Sequence, residues 1–243
     1  MASLSVPAST EEGKASASLR RGSAAAIGGA LLALGVPAVL LALTSRGYRP
    51  FALSDANLLR LESALVVVGA ILVLLALLLY RRAFSHLRHT DRRLVPAATL
   101  CLVGSLGALA IVVAGAYLSG GPAGFTGCLN GHASHALSCL RSQDPTAGYL
   151  ALAGFWLVWL GAVGLAVGLV LTGRHFRSAS LTAGGVVYAL LVLDLLAPFS
   201  ALLVVSSLSR LVATYALLGA PVLALVAAGL VYGGARASSS AAP

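Results

Sequence analysis

The pattern Cys128-x3-His132-x2-His135-x3-Cys139 gathers two of the chain's three cysteines and two of its five histidines into one short stretch. Thiolate and imidazole are ligands for zinc or copper, and positions i, i+4, i+7 and i+11 of a helix share one face. A straight helix would nevertheless hold the two cysteines about 16 Å apart at 1.5 Å per residue, so one ion would reach two or three adjacent ligands and not all four. A bend near Gly131 changes the chemistry, because the two sulfurs then come within disulfide range. The enclosing segment Ser119–Ala147 has three apolar runs before it and three after it. On the outer side of a membrane it meets an oxidising compartment, where a Cys128–Cys139 disulfide is the expectation and His132 and His135 are surface residues. Zinc or copper held by His132, His135 and a neighbouring cysteine is the alternative. The chain has no C-x-x-C pair, which argues against a thiol oxidoreductase.

Asp194 is the second candidate, as the one acidic residue deep within an apolar run. A charge near the bilayer centre costs at least about 2.5–3.5 kcal/mol, so such a residue normally faces a partner, a cavity or a pathway. Pro198 follows four residues later. It lacks an N–H, and its ring crowds the carbonyl of the residue four positions back, which is Asp194 itself. With Tyr188 and Ser200 close in sequence, these groups form a candidate proton or cation site. The plainer reading is an aspartic acid hydrogen-bonded to a neighbouring helix.

The elements that must position these residues are set by composition. Of 243 residues, 59% are hydrophobic and 9% charged, with a mean hydropathy of +0.96. A soluble domain carries about a quarter charged residues. Six runs near or above the roughly 20 residues needed to cross a bilayer define the fold class as an all-α polytopic membrane bundle. They lie at about Ser23–Thr44, Leu58–Tyr80, Leu94–Leu118, Gly148–Thr172, Leu181–Ser206 and Leu211–Ala235. Met1–Gly22 is rich in Ser and Ala and reads as a disordered tail, and Arg236–Pro243 as a second short tail. Ser207–Arg210 reads as a tight turn, and Gly164-x3-Gly168 with Gly161 as a small-residue packing face within the bundle. Trp156 suits an interfacial position, and Trp159 a deeper one.

The net charge is +9, and the basic residues cluster at span ends. Topology and anionic lipid explain this better than nucleic acid does. With the N-terminus inside, cytoplasmic segments carry Lys14, Arg20, Arg21, Arg81, Arg82, Arg88, Arg92, Arg93, Arg174, Arg177 and Arg236. Outer segments carry Arg46, Arg49, Arg60, Arg141 and Arg210. The imbalance puts both termini in the cytoplasm, the protein in the cell membrane and Ser119–Ala147 outside. Of the 16 basic residues only Lys14 is lysine, a bias expected of a GC-rich, prokaryotic genome. His86 and His89 lie in the basic stretch Arg81–Arg93, but nothing adjacent in sequence pairs with them.

The stretches LLLYRRAFSHLRHTDRRLVPAATLCLVG and LVLDLLAPFSALLV carry a family resemblance. The first resembles the span–AF-x-x-L–span segment of an archaeal family of multi-pass membrane proteins of unknown function. The second is similar to that family's penultimate span. The resemblance implies a helical bundle of about six spans and supplies no activity, cofactor or site residue. The chain also lacks a Walker lysine motif, a dinucleotide fingerprint, HExxH and GxSxG.

Three functions follow. The first is a non-catalytic accessory, packing or assembly subunit, working in a larger membrane complex or a homo-oligomer. The second is a small proton- or cation-coupled transporter or channel centred on Asp194, and the third an outward-facing metal or redox protein built on the Cys128–Cys139 loop. Non-reducing peptide mapping is expected to recover Cys128 and Cys139 in one disulfide-linked fragment. Stoichiometric zinc or copper that disappears in His132→Ala would establish the metal site instead.

Overall fold

A computed structural model describes residues 8–36, 39, 55–120, 145–203 and 207–240. Uninterrupted Leu, Val and Ala runs satisfy their own backbone polar groups only as helices, and among the described residues the architecture is all-helical. The helices are α1 (Ala8–Ala30), α2 (Asp55–Leu87), α3 (Leu94–Gly120), α4 (Pro145–His175), α5 (Ala179–Leu203) and α6 (Ser207–Ser240). A π-helical turn, Leu31–Gly35, extends α1. It immediately precedes Val36-Pro37, where the missing proline N–H disfavours a regular α ladder.

Among the described residues four stretches are long and apolar enough to cross a bilayer: Val67–Leu87, Leu94–Ala114, Leu152–His175 and Gly219–Ser238. Within the described residues the apolar run of α5, Ala179–Asp194, is shorter. Each helix packs along the one that follows it, and α6 returns to pack on α1, so the six helices close into a ring.

Short turns and side-chain bonds bring one end of every helix together. Asp91 Oδ1 accepts from the Arg93 N–H at 2.9 Å and caps α3. The three residues between α4 and α5 place Arg177 in the left-handed region, φ 50°, while the Ser178 N–H reaches the Gly173 carbonyl at 2.8 Å. That bond closes the last turn of α4 as a Schellman-type cap.

Residues 8–22 correct the expectation of a disordered tail, because they are the first turns of α1. Ala15, Ser16, Leu19, Gly22 and Ser23 are buried, and Ser16 Oγ donates to the Ala235 carbonyl of α6 at 2.6 Å. The periodicity is helical but is carried by small residues, which hydropathy does not register. Ser207–Arg210 is the first turn of α6 and not a loop, and residues 236–240 continue α6 beyond the expected span. Arg81–Leu87 likewise prolongs α2, so half of the basic stretch is helical.

Small residues line the seams of the ring. A Cβ added at Gly161 would meet Gly104 Cα at 2.6 Å, and one at Gly107 would meet the Gly154 carbonyl oxygen at 2.5 Å. Gly164 packs on Leu100 of α3, and a Cβ at Gly168 would meet the Phe84 ring of α2 at 2.5 Å. The small face of α4 thus serves the chain's own bundle. Gly185 approaches Val170 of α4, and Gly184 approaches Val231 of α6. Gly161→Ala is expected to lower thermal stability in detergent by about 1–3 kcal/mol through overpacking, despite the better helix propensity of alanine. The same change at Gly229, where an added Cβ meets nothing within 4 Å, is expected to be neutral or mildly stabilising. Equal effects at the two sites would refute the close-approach account.

Candidate functional site

Between the helices lies a partly open pocket of about 320 Å³ to which every helix contributes, among them Ala26 and Gly29 of α1, Ala76 of α2, Ala108 of α3, Ala162 of α4, Leu191 of α5 and Ala224 of α6. Its hydroxyl-bearing lining residues are Tyr80 of α2 and Tyr188 of α5. Below it, toward the end where α2 meets α3, buried Leu19, Phe84, Leu87, Leu94, Leu169, Leu181 and Val231 fill the ring. Alanine and glycine at mid-helix therefore leave space where leucine and phenylalanine one or two turns away leave none. The AF-x-x-L segment supplies part of this plug, since Ala83, Phe84 and Leu87 are all buried.

The polar groups at the boundary between cavity and plug form a chain. Ser23 Oγ donates to the Leu19 carbonyl at 2.9 Å and lies 2.9 Å from the Tyr80 hydroxyl. Tyr80 and Tyr188 share a side-chain hydrogen bond. Either hydroxyl can donate in the Ser23–Tyr80 pair.

A second cluster lies at the plugged end. Glu11 Oε2 is 2.7 Å from His86 Nδ1, and Glu11 Oε1 accepts from Lys14 Nζ at 2.9 Å. Glu12 Oε1 is 3.3 Å from His175 Nε2. The adjacent acids of α1 thus reach the last turns of α2 and α4. Among the described residues no three His, Cys, Asp or Glu side chains gather as a metal-ligand group.

The residues singled out by sequence fall in different places. Tyr188 is buried and belongs to the hydroxyl chain. Asp194 sits on the α5–α6 seam, where a Cβ added at Gly219 would come 3.7 Å from its Oδ2. That oxygen is buried and has no hydrogen-bond partner among the described residues. The two residues are not brought together: six positions on a helix rotate them about 120° apart. Ser200 lies in α5, but its side chain is outside the described residues, as are Cys128, His132, His135 and Cys139. Trp156 is exposed, while Trp159 is partly buried and donates to the Val192 carbonyl at 3.0 Å. Ser23, Tyr80, Glu11 and Glu12 were not singled out by sequence. Their only advance signal is a pair of acids in a chain with seven acidic residues in all, opposite histidines in two distant basic turns.

The chain belongs to a family defined only as a protein of unknown function, DUF973, whose model matches residues 24–225. No curated protein and no solved structure matches it.

Lys14 first, and His86 after it, hold the Glu11 carboxyl below its ordinary range. A lowered folded-state value means a stabilising contribution that is present above the unfolded value and disappears as pH falls through the folded one. Glu11→Gln is therefore expected to lower the apparent Tm near neutrality and to flatten its fall on acidification below about pH 4.5. Thermal melts of both proteins between pH 7 and 3 measure this, and parallel curves would refute it.

Proposed function

We propose that the chain is a non-catalytic integral protein of the cell membrane, with six spans, both termini cytoplasmic, and a role in packing or assembly within a larger membrane complex or a homo-oligomer. The observation that carries this reading is the outer surface of the ring. Leu75, Leu106, Leu109, Val113, Val167, Val186, Leu190, Leu193, Val222 and Val226 are all exposed there. So extensive an apolar exterior calls for lipid or apolar protein around it. The polar side chains between helices support the same role. Ser16, Trp159 and Ser180 each donate to a backbone carbonyl of the next helix in the ring, at 2.6, 3.0 and 2.7 Å. Polar groups used in this way hold helices together.

Orientation rests on charge. Glu11–His86, Glu12–His175 and Ser16–Ala235 bind the plugged ends of α1, α2, α4 and α6 into one face. Lys14, Arg81, Arg82, Arg88, Arg174, Arg177 and Arg236 cluster toward that face, as cytoplasmic segments do.

Cysteine labelling of intact cells with a membrane-impermeant maleimide tests the topology in a Cys101→Ser, Cys128→Ser, Cys139→Ser background. A cysteine at Ser119 is expected to react from outside. Cysteines at Ser85 and Ser238 are expected to react only after permeabilisation. External reaction at either would overturn the orientation.

Asp194 favours a second reading, a proton- or cation-coupled route along the α5–α6 seam, because its buried Oδ2 lacks a partner among the described residues. Flux in proteoliposomes lost in Asp194→Asn supports that route, and flux retained in the variant removes it.

A further inference from the structure

The arginines at the plugged end do not all lie at one depth. Arg88, Arg92 and Arg93 follow the end of the apolar stretch Val67–Leu87. Arg82 lies inside that stretch, five residues before its end, which is about 8 Å at 1.5 Å per residue. On the neighbouring helix α3, exposed Val95 already stands in the first turn. Arg21 of α1 shares the level of Arg82. A Cβ added at Gly22 would meet the Ala76 carbonyl oxygen and Leu79 Cβ at 3.4 Å and the Tyr80 ring at 3.5 Å, so the adjacent Arg21 is within about one helical turn of Arg82 along the seam.

The two arginines also share a flank. Lys14 of α1 and His86 of α2 both bond to Glu11, at 2.9 and 2.7 Å, and so mark one outer side of the α1–α2 seam. Arg82 comes four residues before His86 and Arg21 seven after Lys14, spacings that return to the same helix face. Both side chains are exposed. The acids at this end are already engaged: Glu11 with Lys14 and His86, Glu12 with His175, and Asp91 with the Arg93 N–H. Among the described residues no ion pair reaches Arg21 or Arg82.

Toward the middle of the bundle this flank is apolar. Leu78, Leu75 and Ile71, at i−4, i−7 and i−11 from Arg82, are all exposed. Arginine stems at such a boundary lie along apolar surface and hold their heads at the lipid headgroups. A guanidinium presents a planar fork that matches phosphate oxygens two at a time. We propose that the outer flank of the α1–α2 seam binds an anionic phospholipid, its phosphate held between Arg21 and Arg82 and its chains lying along Leu78, Leu75 and Ile71. The apolar row below the arginines selects a lipid over a free phosphate. The proposal goes beyond the assembly role, which a subunit can fill without a preferred lipid.

Native mass spectrometry of the full-length protein in detergent tests it, with phosphatidylglycerol and phosphatidylcholine of the same chains titrated separately. One phosphatidylglycerol is expected to bind about tenfold more tightly than phosphatidylcholine. Arg21→Gln/Arg82→Gln is expected to weaken phosphatidylglycerol about 10–30-fold, the effect of losing two cations near the membrane surface, and to abolish the preference. Arg92→Gln/Arg93→Gln removes the same charge from the α2–α3 turn and is expected to leave binding within about twofold of the unmodified protein. All four side chains are exposed, and thermal melts report that the ring is intact in both variants.

Equal weakening in the two double variants would reveal a diffuse basic surface and overturn the site. Phosphatidylcholine bound as tightly as phosphatidylglycerol by the unmodified protein would overturn the headgroup recognition. Inorganic phosphate and glycerol 3-phosphate are expected to leave the lipid bound at millimolar concentration, and displacement by either at the lipid's own concentration would overturn the choice of a lipid. None of these outcomes depends on finding a partner complex, so the lipid site and the assembly role fail separately.

Discussion

At the seam between α3 and α4 two backbones touch, with Gly104 against Gly161 and Gly107 against Gly154. Helices surrounded by hydrocarbon gain nothing from hiding apolar surface from water, so their association must come from close packing and hydrogen bonds. A side chain at any of these four positions would push the axes apart. Because each helix packs mainly along its neighbours around the ring, a shift at one seam is passed to the others. The separation permitted by glycine at α3–α4, α4–α5 and α5–α6 therefore sets the diameter of the ring, and with it the volume at its centre.

The same constraint explains why the interior is divided into a filled end and a hollow one. Where α1 carries Leu19, α2 Phe84, α4 Leu169 and α5 Leu181, these side chains meet across the ring and fill it. Where the inward positions are Ala26, Ala76, Ala108, Ala162 and Ala224, the same axial separation leaves space. The hydroxyls of Ser23, Tyr80 and Tyr188 lie at that boundary. Their shared hydrogen bonds offset the cost of burying polar atoms.

The first helix closes both arrangements. Ser16 ties α1 to α6, Ser23 ties it to α2, and Glu11 and Glu12 reach the histidines that end α2 and α4. The segment that supplies Glu11, Glu12 and Ser16 begins before the 24–225 region that defines the family match. These contacts are accordingly a property of the chain as a whole and not of the matched core alone.

Much of this protein was decided by local chemistry. Long Leu, Val and Ala runs can only be helices in lipid, and the concentration of arginine at alternate span ends is a linear pattern that needs no fold to be seen. The class of the protein, its helical content and the small face Gly161–Gly164–Gly168 were legible for that reason. Residues 8–22 were not, because a stripe of Ala, Ser and Gly is indistinguishable in hydropathy from a solvated tail until another helix lies against it. The partners of His86 and His175 were also hidden, being 75 and 163 positions away in the chain. Nor does sequence reveal that Tyr80 and Tyr188 meet while Asp194 turns to a different seam. Which faces point inward depends on the order and rotation of all six helices. That order is a collective result of close approach at many seams, so the cavity and its hydroxyl chain belong to the tertiary structure alone.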